Sequence, residues 1–232
     1  DLGDLLLNAE TSVRVLEADY QFAQPPDKPK VSAVPGDGKV TLYWDSKSEE
    51  SFDPLTGEMD FQGYKIYRSR DHNFADVYTI TDANGNPFLG KPIAQFDKDD
   101  SLSGFHPVEY QGRGVKFDMG DNTGLVHEFT DSTVTNGVRY FYAVVAYDSG
   151  TDIIPPTETQ AVIEQDPITS EFTYDVNTVS AMPRVKVQGV VDAQAGEGGK
   201  PMAFQGVNST GDINLNILDE LQVDRKSTRL TP

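Results

Sequence analysis

The chain has 232 residues, and 37 Asp and Glu residues against 19 Lys and Arg residues give it a formal charge of −18. So acidic a chain repels the phosphates of nucleic acids and of anionic lipids, which argues against nucleic-acid binding. It contains no cysteine, so disulfides, zinc–thiolate sites and cysteine nucleophiles are excluded. No apolar run approaches the roughly 20 residues that a membrane-spanning helix needs, so we expect no membrane insertion.

The first segment has the apolar spacing of a helix. Apolar residues from Leu2 to Tyr20 recur every three or four positions, with charged residues elsewhere on the helical wheel. Pro25 and Pro26 cannot continue a helix, because proline fixes φ and lacks an amide donor. We therefore predict an amphipathic helix and a linker over residues 1–24, whose apolar stripe packs on the body of the chain or on an upstream domain.

From Lys30 onward the period changes from 3.6 to 2. Val40, Leu42 and Trp44 alternate with polar or amphipathic neighbours, which predicts a strand with one buried side. The predicted strands lie in "PKVSAV", "KVTLYWD", "FQGYKIYRSRD", "VYTIT", "KPIAQFD", "GVKFDM", "LVHEFTD", "VRYFYAVVAYD" and "ETQAVIEQ". Nearly every connection carries Gly, Pro, Asn or Asp, and this pattern predicts an all-β sandwich or barrel.

Two long insertions interrupt the strand pattern. The first is "SKSEESFDPLTGEMD", and the second runs from about residue 71 to 121. A sandwich tolerates such insertions at its rim because loop-closure entropy rises only logarithmically with loop length. Loops are also where binding residues concentrate, so we expect a binding surface of this chain to lie in the insertions.

Three stretches in the same order resemble a fibronectin type III domain. They are "PPDKPKVSAVPGDGKVTLYWD", "GYKIYRS" and "VTNGVRYFYAVVAYD", and the resemblance covers residues 25–164. It implies an immunoglobulin-like β-sandwich with an N-terminal amphipathic helix and long loop insertions. In the family's pattern Trp44 stands for the buried core tryptophan, and Tyr140 for the corner tyrosine whose hydroxyl bonds back to the backbone.

The strand that follows Tyr140 is apolar on both faces. Tyr142, Val144 and Ala146 lie on the face of Tyr140, and Phe141 and the alternate residues after it lie on the other. This pattern predicts a central strand with one face in the core. The N-terminal helix is a candidate cover for the other face.

The resemblance also implies a function. The whole pattern, including the "NAET" helix that leads into "PP", resembles large secreted bacterial surface proteins, so we expect an extracellular or cell-surface location. The expected role is a non-catalytic structural or adhesive module, whose partners are neighbouring domains of the same chain or other surface proteins. The alternative is a carbohydrate- or ligand-binding accessory domain of a secreted hydrolase, which would bind polysaccharide through Phe105 and Tyr110. These two aromatic residues could equally form a satellite core beneath the long loops.

Residues 165–232 carry further strand patterns, in "EFTYDVNTVSAMPRVKVQGVVDAQ" and "GDINLNILDEL". They predict a C-terminal β extension or a partial second β module. The last residues, "DRKSTRLTP", are basic and patternless, and we interpret them as a disordered or artefactual tail.

Catalytic motifs are missing from the sequence. His72, His106 and His127 are scattered, without the spacing of a zinc motif, and no G-x-S-x-G turn is present. We therefore expect no enzymatic activity and no cofactor apart from a candidate calcium ion.

The acidic loops predict a more specific site, one that binds calcium. Oxygen-bearing side chains cluster in "DANGNP", "DKDD" and "DMGDN", and hard cations prefer such ligands. The candidate ligands are Asp82, Asn84, Asn86, Asp97, Asp99, Asp100, Asp118 and Asp121. The alternative is that these stretches are turns on an acidic face, since the first lacks the Glu that would close an EF-hand loop.

Overall fold

The computed structural model describes residues 2–17 and 22–185, and in this part of the chain β-strands predominate. This confirms the predicted all-β class. The chain divides into two units, Asp1–Arg184 and Val185–Pro232, and all of the following elements lie in the first. The helix is α1 (Leu2–Glu17), and short 3-10 helices span Lys47–Glu50, Ala75–Val77 and Tyr110–Gly112. The strands are β1 (Val31–Pro35), β2 (Val40–Trp44), β3 (Phe61–Ser69), β4 (Tyr78–Thr81), β5 (Pro87–Gly90), β6 (Ala94–Asp97), β7 (Phe105–Glu109), β8 (Lys116–Asp118), β9 (Glu128–Asp131), β10 (Tyr140–Asp148), β11 (Ile163–Gln165), β12 (Phe172–Tyr174) and β13 (Thr178–Ala181).

Two antiparallel sheets pack around one core. The first has the strand order β1-β2-β9, and the second has the order β13-β10-β3-β6. Alternate side chains of β2, β3 and β10 point between the sheets and are almost fully buried, as their period of two requires. The core consists of Val40, Leu42, Trp44, Phe61, Tyr64, Ile66, Val134, Tyr140, Tyr142, Val144, Ala146 and Ala181. The face of the four-stranded sheet that packs against this core is called its inner face, and the opposite face is called its outer face.

Strand β10 is buried along its whole length, as the two-faced apolar pattern predicts. Its outer face packs against residues of the loops and of the β11–β12 hairpin, namely Phe74, Val77, Ile163 and Phe172. The idea that the N-terminal helix covers this face is wrong, because the insertion and the C-terminal hairpin already fill it. The helix itself is present, and its apolar side chains at Leu5, Leu6, Val13 and Leu16 are more than half exposed. Residues 18–20 of the predicted helix lie outside the described residues.

The second insertion and the C-terminal range both add strands. The insertion contains β6, which pairs with β3, and the two hairpins β4–β5 and β7–β8. Strand β13, within residues 165–232, pairs with β10 and so extends the four-stranded sheet. The strands predicted in "GDINLNILDEL" and the basic tail lie outside the described residues. In the described part of the chain no helix is long and apolar enough to cross a membrane.

Candidate functional site

The loop of the β4–β5 hairpin is held by Asp82. Its Oδ1 accepts hydrogen bonds from the amides of Asn84 and Asn86, both at 2.9 Å. Its Oδ2 lies 3.4 Å from both the Asn86 side-chain amide and the Arg113 guanidinium. These bonds, that of the Asn86 amide first, hold the pKa of Asp82 below its ordinary value. The carboxylate therefore fixes a turn, and Arg113 already supplies it with a positive partner.

Asp97 is fully buried and closes the loop that follows β8. Its Oδ2 accepts a hydrogen bond from the Asn122 amide at 2.6 Å, and its Oδ1 accepts two from the amide and hydroxyl of Thr123 at 3.0 and 2.7 Å. Gly120 lies against this carboxylate, where a Cβ would come within 2.5 Å of the Asp97 side chain. Both carboxylate oxygens of Asp97 are therefore engaged in pinning the loop to strand β6.

The remaining calcium candidates lie near the surface. Asp100 accepts hydrogen bonds from the Leu102 amide and the Gln62 side chain, at 3.0 and 3.1 Å. Asp118 accepts one from the Gly120 amide at 3.1 Å. Asn84, Asn86, Asp99 and Asp121 are exposed in their loops. Within residues 2–17 and 22–185 no group of three or more His, Cys, Asp or Glu side chains is placed to hold a metal ion.

The two candidate ligand-binding aromatics have different surroundings. Phe105 is 70% exposed at the start of β7. Tyr110 follows the other end of that strand and packs in a satellite cluster, with ring centroids 5.9 Å from Phe117 and 5.8 Å from Phe88. The structure therefore places one of them as a free surface ring and the other as part of a buried patch.

Trp44 and Tyr140 both lie in the core between the two sheets. Trp44 is 5% exposed, and its ring packs edge-on to Tyr64 at a centroid distance of 5.8 Å. Its indole Nε1 is buried without a hydrogen-bond partner. Tyr140 is 3% exposed, and its hydroxyl accepts a hydrogen bond from the Thr135 amide at 3.1 Å. That bond ties the start of β10 to the crossover before it, as a tyrosine corner does.

His127 is the one described histidine in close contact with a glutamate. Its Nε2 lies 2.7 Å from Oε1 of Glu49, and the Tyr64 hydroxyl donates to the same oxygen at 3.1 Å. The imidazole is 41% exposed, and its ring lies 6.4 Å from that of Trp44. These polar side chains therefore lie at the edge of the core between the two sheets, beside Trp44 and Tyr64.

Asp131 is a buried carboxylate on the inner side of the sandwich. No sequence pattern indicated it as a candidate residue. It accepts hydrogen bonds from Arg68 at 2.8 Å, from the Tyr142 hydroxyl at 2.9 Å and from the Thr133 hydroxyl at 2.7 Å. Burial alone would raise the pKa of Asp131, but these hydrogen bonds outweigh it and hold that pKa below its ordinary value. The ionised carboxylate is therefore a stabilising part of the fold.

Asp148 and Asp60 form an acidic pair at the end of β10. Asp148 is 2% exposed, and burial raises its pKa to about 7, although Thr157 and Gly150 donate hydrogen bonds to it. Burial and the neighbouring carboxylate of Asp53 raise the pKa of Asp60 to about 6. Asp60 lines a shallow cleft of about 210 Å³ beside the loop after β10. Both groups therefore gain protons near neutral pH more readily than an ordinary aspartate.

Lys65 is the most unusual charged side chain of the outer face. Its side chain is 6% exposed, and its Nζ lies 3.4 Å from the centroid of the Phe117 ring and 5.0 Å from that of Tyr147. Oε2 of Glu158 lies 3.8 Å from this Nζ, and the Tyr67 hydroxyl lies 3.4 and 3.3 Å from the two Glu158 oxygens. Burial lowers the pKa of Lys65, although the carboxylates of Glu158 and Asp118 oppose this effect.

A signal for Lys65 is present in the sequence. Alternation along "GYKIYRS" puts Lys65 and Tyr67 on one face, opposite Tyr64 and Ile66. Once β3 is known to pair with β10, with Lys65 opposite Val145, that face is the covered outer one. The pairing itself cannot be read from the local pattern, so the burial of Lys65 escaped prediction.

Comparisons with family models, with curated proteins and with solved structures found no match to this chain.

Proposed function

We propose that this chain is a non-catalytic structural or adhesive module of an extracellular or cell-surface protein, built as a fibronectin type III-like sandwich. Its partners in this proposal are neighbouring domains of the same chain or other surface proteins. The arrangement of Tyr140 supports the proposal most directly. This residue begins β10, the sixth of the seven strands in the two main sheets, and bonds back to the Thr135 amide, as in immunoglobulin-like sandwiches.

The distribution of ionisable groups also favours a scaffold over a catalyst. The shallow cleft beside Asp60 and a second one between Arg68, Arg70 and Tyr140 contain no histidine in their linings. The close pair of His127 and Glu49 lies at an exposed rim beside Trp44. Glu49 connects this histidine to the hydroxyl of the core residue Tyr64, which is the use of polar groups that a scaffold requires.

A mechanical measurement tests the structural role. The chain is placed between two folded reporter domains and pulled in a single-molecule force experiment. A load-bearing sandwich gives one cooperative rupture, because the inner core joins both sheets and fails as a unit. Gradual extension without a rupture would contradict the proposal. Digestion of intact producing cells with an added protease tests the location, since an exposed module is cleaved while cytoplasmic proteins survive.

A second candidate function is carbohydrate binding by an accessory domain. The exposure of Phe105 favours this function, because its ring is 70% exposed on β7 within the second insertion. Retention on immobilised polysaccharides that is lost in Phe105→Ala would support this function. Phe52→Ala is the matched control, because Phe52 is also a largely exposed phenylalanine, at 61%. Equal loss in both variants, or no retention of the parent chain, would discard it.

A further inference from the structure

The surroundings of Lys65 call for an explanation. Lysine is almost never fully buried, because its ammonium group loses strong hydration. Here the Nζ of Lys65 is enclosed by the rings of Phe117 and Tyr147, and its nearest carboxylate oxygen is Oε2 of Glu158, at 3.8 Å. Desolvation favours the neutral, nucleophilic form of a buried amine, and the carbon of a protonated carboxyl group beside it is the atom that such an amine attacks.

We propose that Lys65 and Glu158 form an intramolecular amide cross-link, in which Nζ of Lys65 bonds to Cδ of Glu158 and one water molecule leaves. The inference rests on the geometry of this pair and is independent of the proposed function. An amide is also a neutral product, so it removes the buried charge of Lys65 together with the partly exposed charge of Glu158.

The chemistry balances within the pair. A proton first passes from the Lys65 ammonium to the Glu158 carboxylate, which gives a neutral amine and a carboxylic acid. The amine attacks Cδ of Glu158, and the Tyr67 hydroxyl, 3.3 to 3.4 Å from the two carboxyl oxygens, can donate to the oxyanion that forms. The C–OH bond then breaks, and the hydroxyl leaves as water with one of the remaining amine protons.

The position of the pair makes the cross-link structurally consequential. Lys65 lies in the middle of β3, and Glu158 bridges Tyr147 at the far end of β10. A covalent bond between them closes the long loop from residue 65 to residue 158 in a chain that contains no cysteine. Closing so long a loop restricts the unfolded state in the way a disulfide does.

Intact mass decides the proposal. The full chain, held at neutral pH until its mass is constant, is expected to weigh one water less than its sequence requires. Tryptic digestion is expected to give one branched peptide that joins Lys65 to Glu158. An unreduced mass would overturn the proposal, and so would a branch that maps to any other pair.

Two variants give the matched comparison. Lys65→Arg keeps the charge but removes the nucleophilic amine, so it is expected to show the full mass. Lys28→Arg is the control, because Lys28 also contacts a carboxylate, that of Asp175, but a third of its side chain is exposed. The control is expected to keep the loss of one water. If Lys65→Arg does not fold, the peptide map of the parent chain still decides.

The force experiment supplies an independent readout. Unfolding of residues 31–181 without a cross-link would release about 50 nm of chain, whereas the amide shields residues 65–158 and limits the release to about 20 nm. The shorter release supports the cross-link, and the longer release overturns it. A single rupture of either length leaves the structural role of the module standing.

Discussion

The two faces of the four-stranded sheet are buried in different ways. On the inner face, alternate residues of β3 and β10 meet the three-stranded sheet, and most of the contacts are apolar. On the outer face the cover comes from the second insertion and the β11–β12 hairpin, and it encloses charged groups such as Lys65. The ionisable groups of the two faces differ as well, because hydrogen bonds stabilise the inner Asp131 as a carboxylate, whereas burial lowers the pKa of the outer Lys65 and so favours its neutral form. A regular sheet partner thus gives an apolar core, whereas a cover made of loops leaves charges that need specific partners.

The largest expected effect is on the inner face. Trp44→Ala removes a nearly buried indole that contacts both sheets, so unfolding should become easier by about 3–5 kcal/mol. Phe172→Ala removes a partly buried ring from the outer cover and should cost less. Urea denaturation of the two variants measures the difference. Equal losses would mean that the loops carry as much of the stability as the inner core does.

The next largest effect is the pH dependence that Asp148 gives to the free energy of unfolding. Its pKa is about 7 in the folded chain, well above the ordinary value of about 3.9 in the unfolded chain. The folded state therefore binds the extra proton, and stability is highest below about pH 4 for this group and falls as the pH rises towards 7. Asp148→Asn should remove up to about 4 kcal/mol of that decline.

Asp131 is the internal control for this pH dependence. Its pKa is lowered in the folded chain, so its contribution is present above the unfolded value and is lost as the pH falls through the folded one. Asp131→Asn should flatten the acid limb of the stability profile and leave the limb near neutral pH unchanged. Chemical denaturation between pH 3 and 8 would follow both limbs. A profile that Asp148→Asn leaves unaltered would show that this carboxyl is ionised without penalty.

A smaller loss of stability is expected when the buried tyrosine hydroxyls are removed, and it should differ between Tyr140 on the inner face and Tyr147 on the outer face. Tyr140→Phe removes the hydroxyl that accepts a hydrogen bond from the Thr135 amide, and we expect the free energy of unfolding to fall by about 1 kcal/mol. Tyr147→Phe on the outer face removes the donor to the buried Met119 carbonyl and one of the two acceptors of the Gln95 side-chain amide, which still donates to the Asp118 carbonyl, so about 1–3 kcal/mol is expected. Thermal unfolding of the two variants side by side measures the order. The reverse order would mean that the corner at Tyr140 constrains the fold more than its hydrogen bond to the Thr135 amide indicates.

The inner face was largely predictable, and the outer face was not. The period of two around Trp44 and the two-faced pattern after Tyr140 identified β2 and β10, because alternation reports burial within a single strand. It does not report which strand lies beside it, so the enclosure of Lys65 and the pairing of β13 with β10 needed the tertiary structure.

The predicted cover shows the same limit, and the acidic loops show a related one. The helical period correctly identified α1, but periodicity alone cannot say what its apolar stripe contacts. The acidic stretch around Asp82 has the residue types of a calcium loop, yet its carboxylate accepts the amides of its own turn. Composition alone does not distinguish these two uses of aspartate.

The smallest expected effect is that of calcium on the outer loops. Because the oxygens of Asp82 and Asp97 are already engaged, millimolar calcium should leave the Tm of the chain unchanged. A ligand that binds the folded state raises Tm by mass action, so differential scanning fluorimetry with and without calcium measures this. A rise in Tm that is lost in Asp82→Asn or Asp97→Asn would support the calcium hypothesis for that loop.

The central claim, that two sheets enclose Trp44, can be tested with the intrinsic fluorescence of the chain. Trp44 is the only tryptophan, so all indole emission reports on this one position. The account predicts blue-shifted emission that acrylamide quenches poorly in the folded chain, and a red shift with strong quenching after unfolding. Red-shifted, easily quenched emission from the folded chain would contradict it.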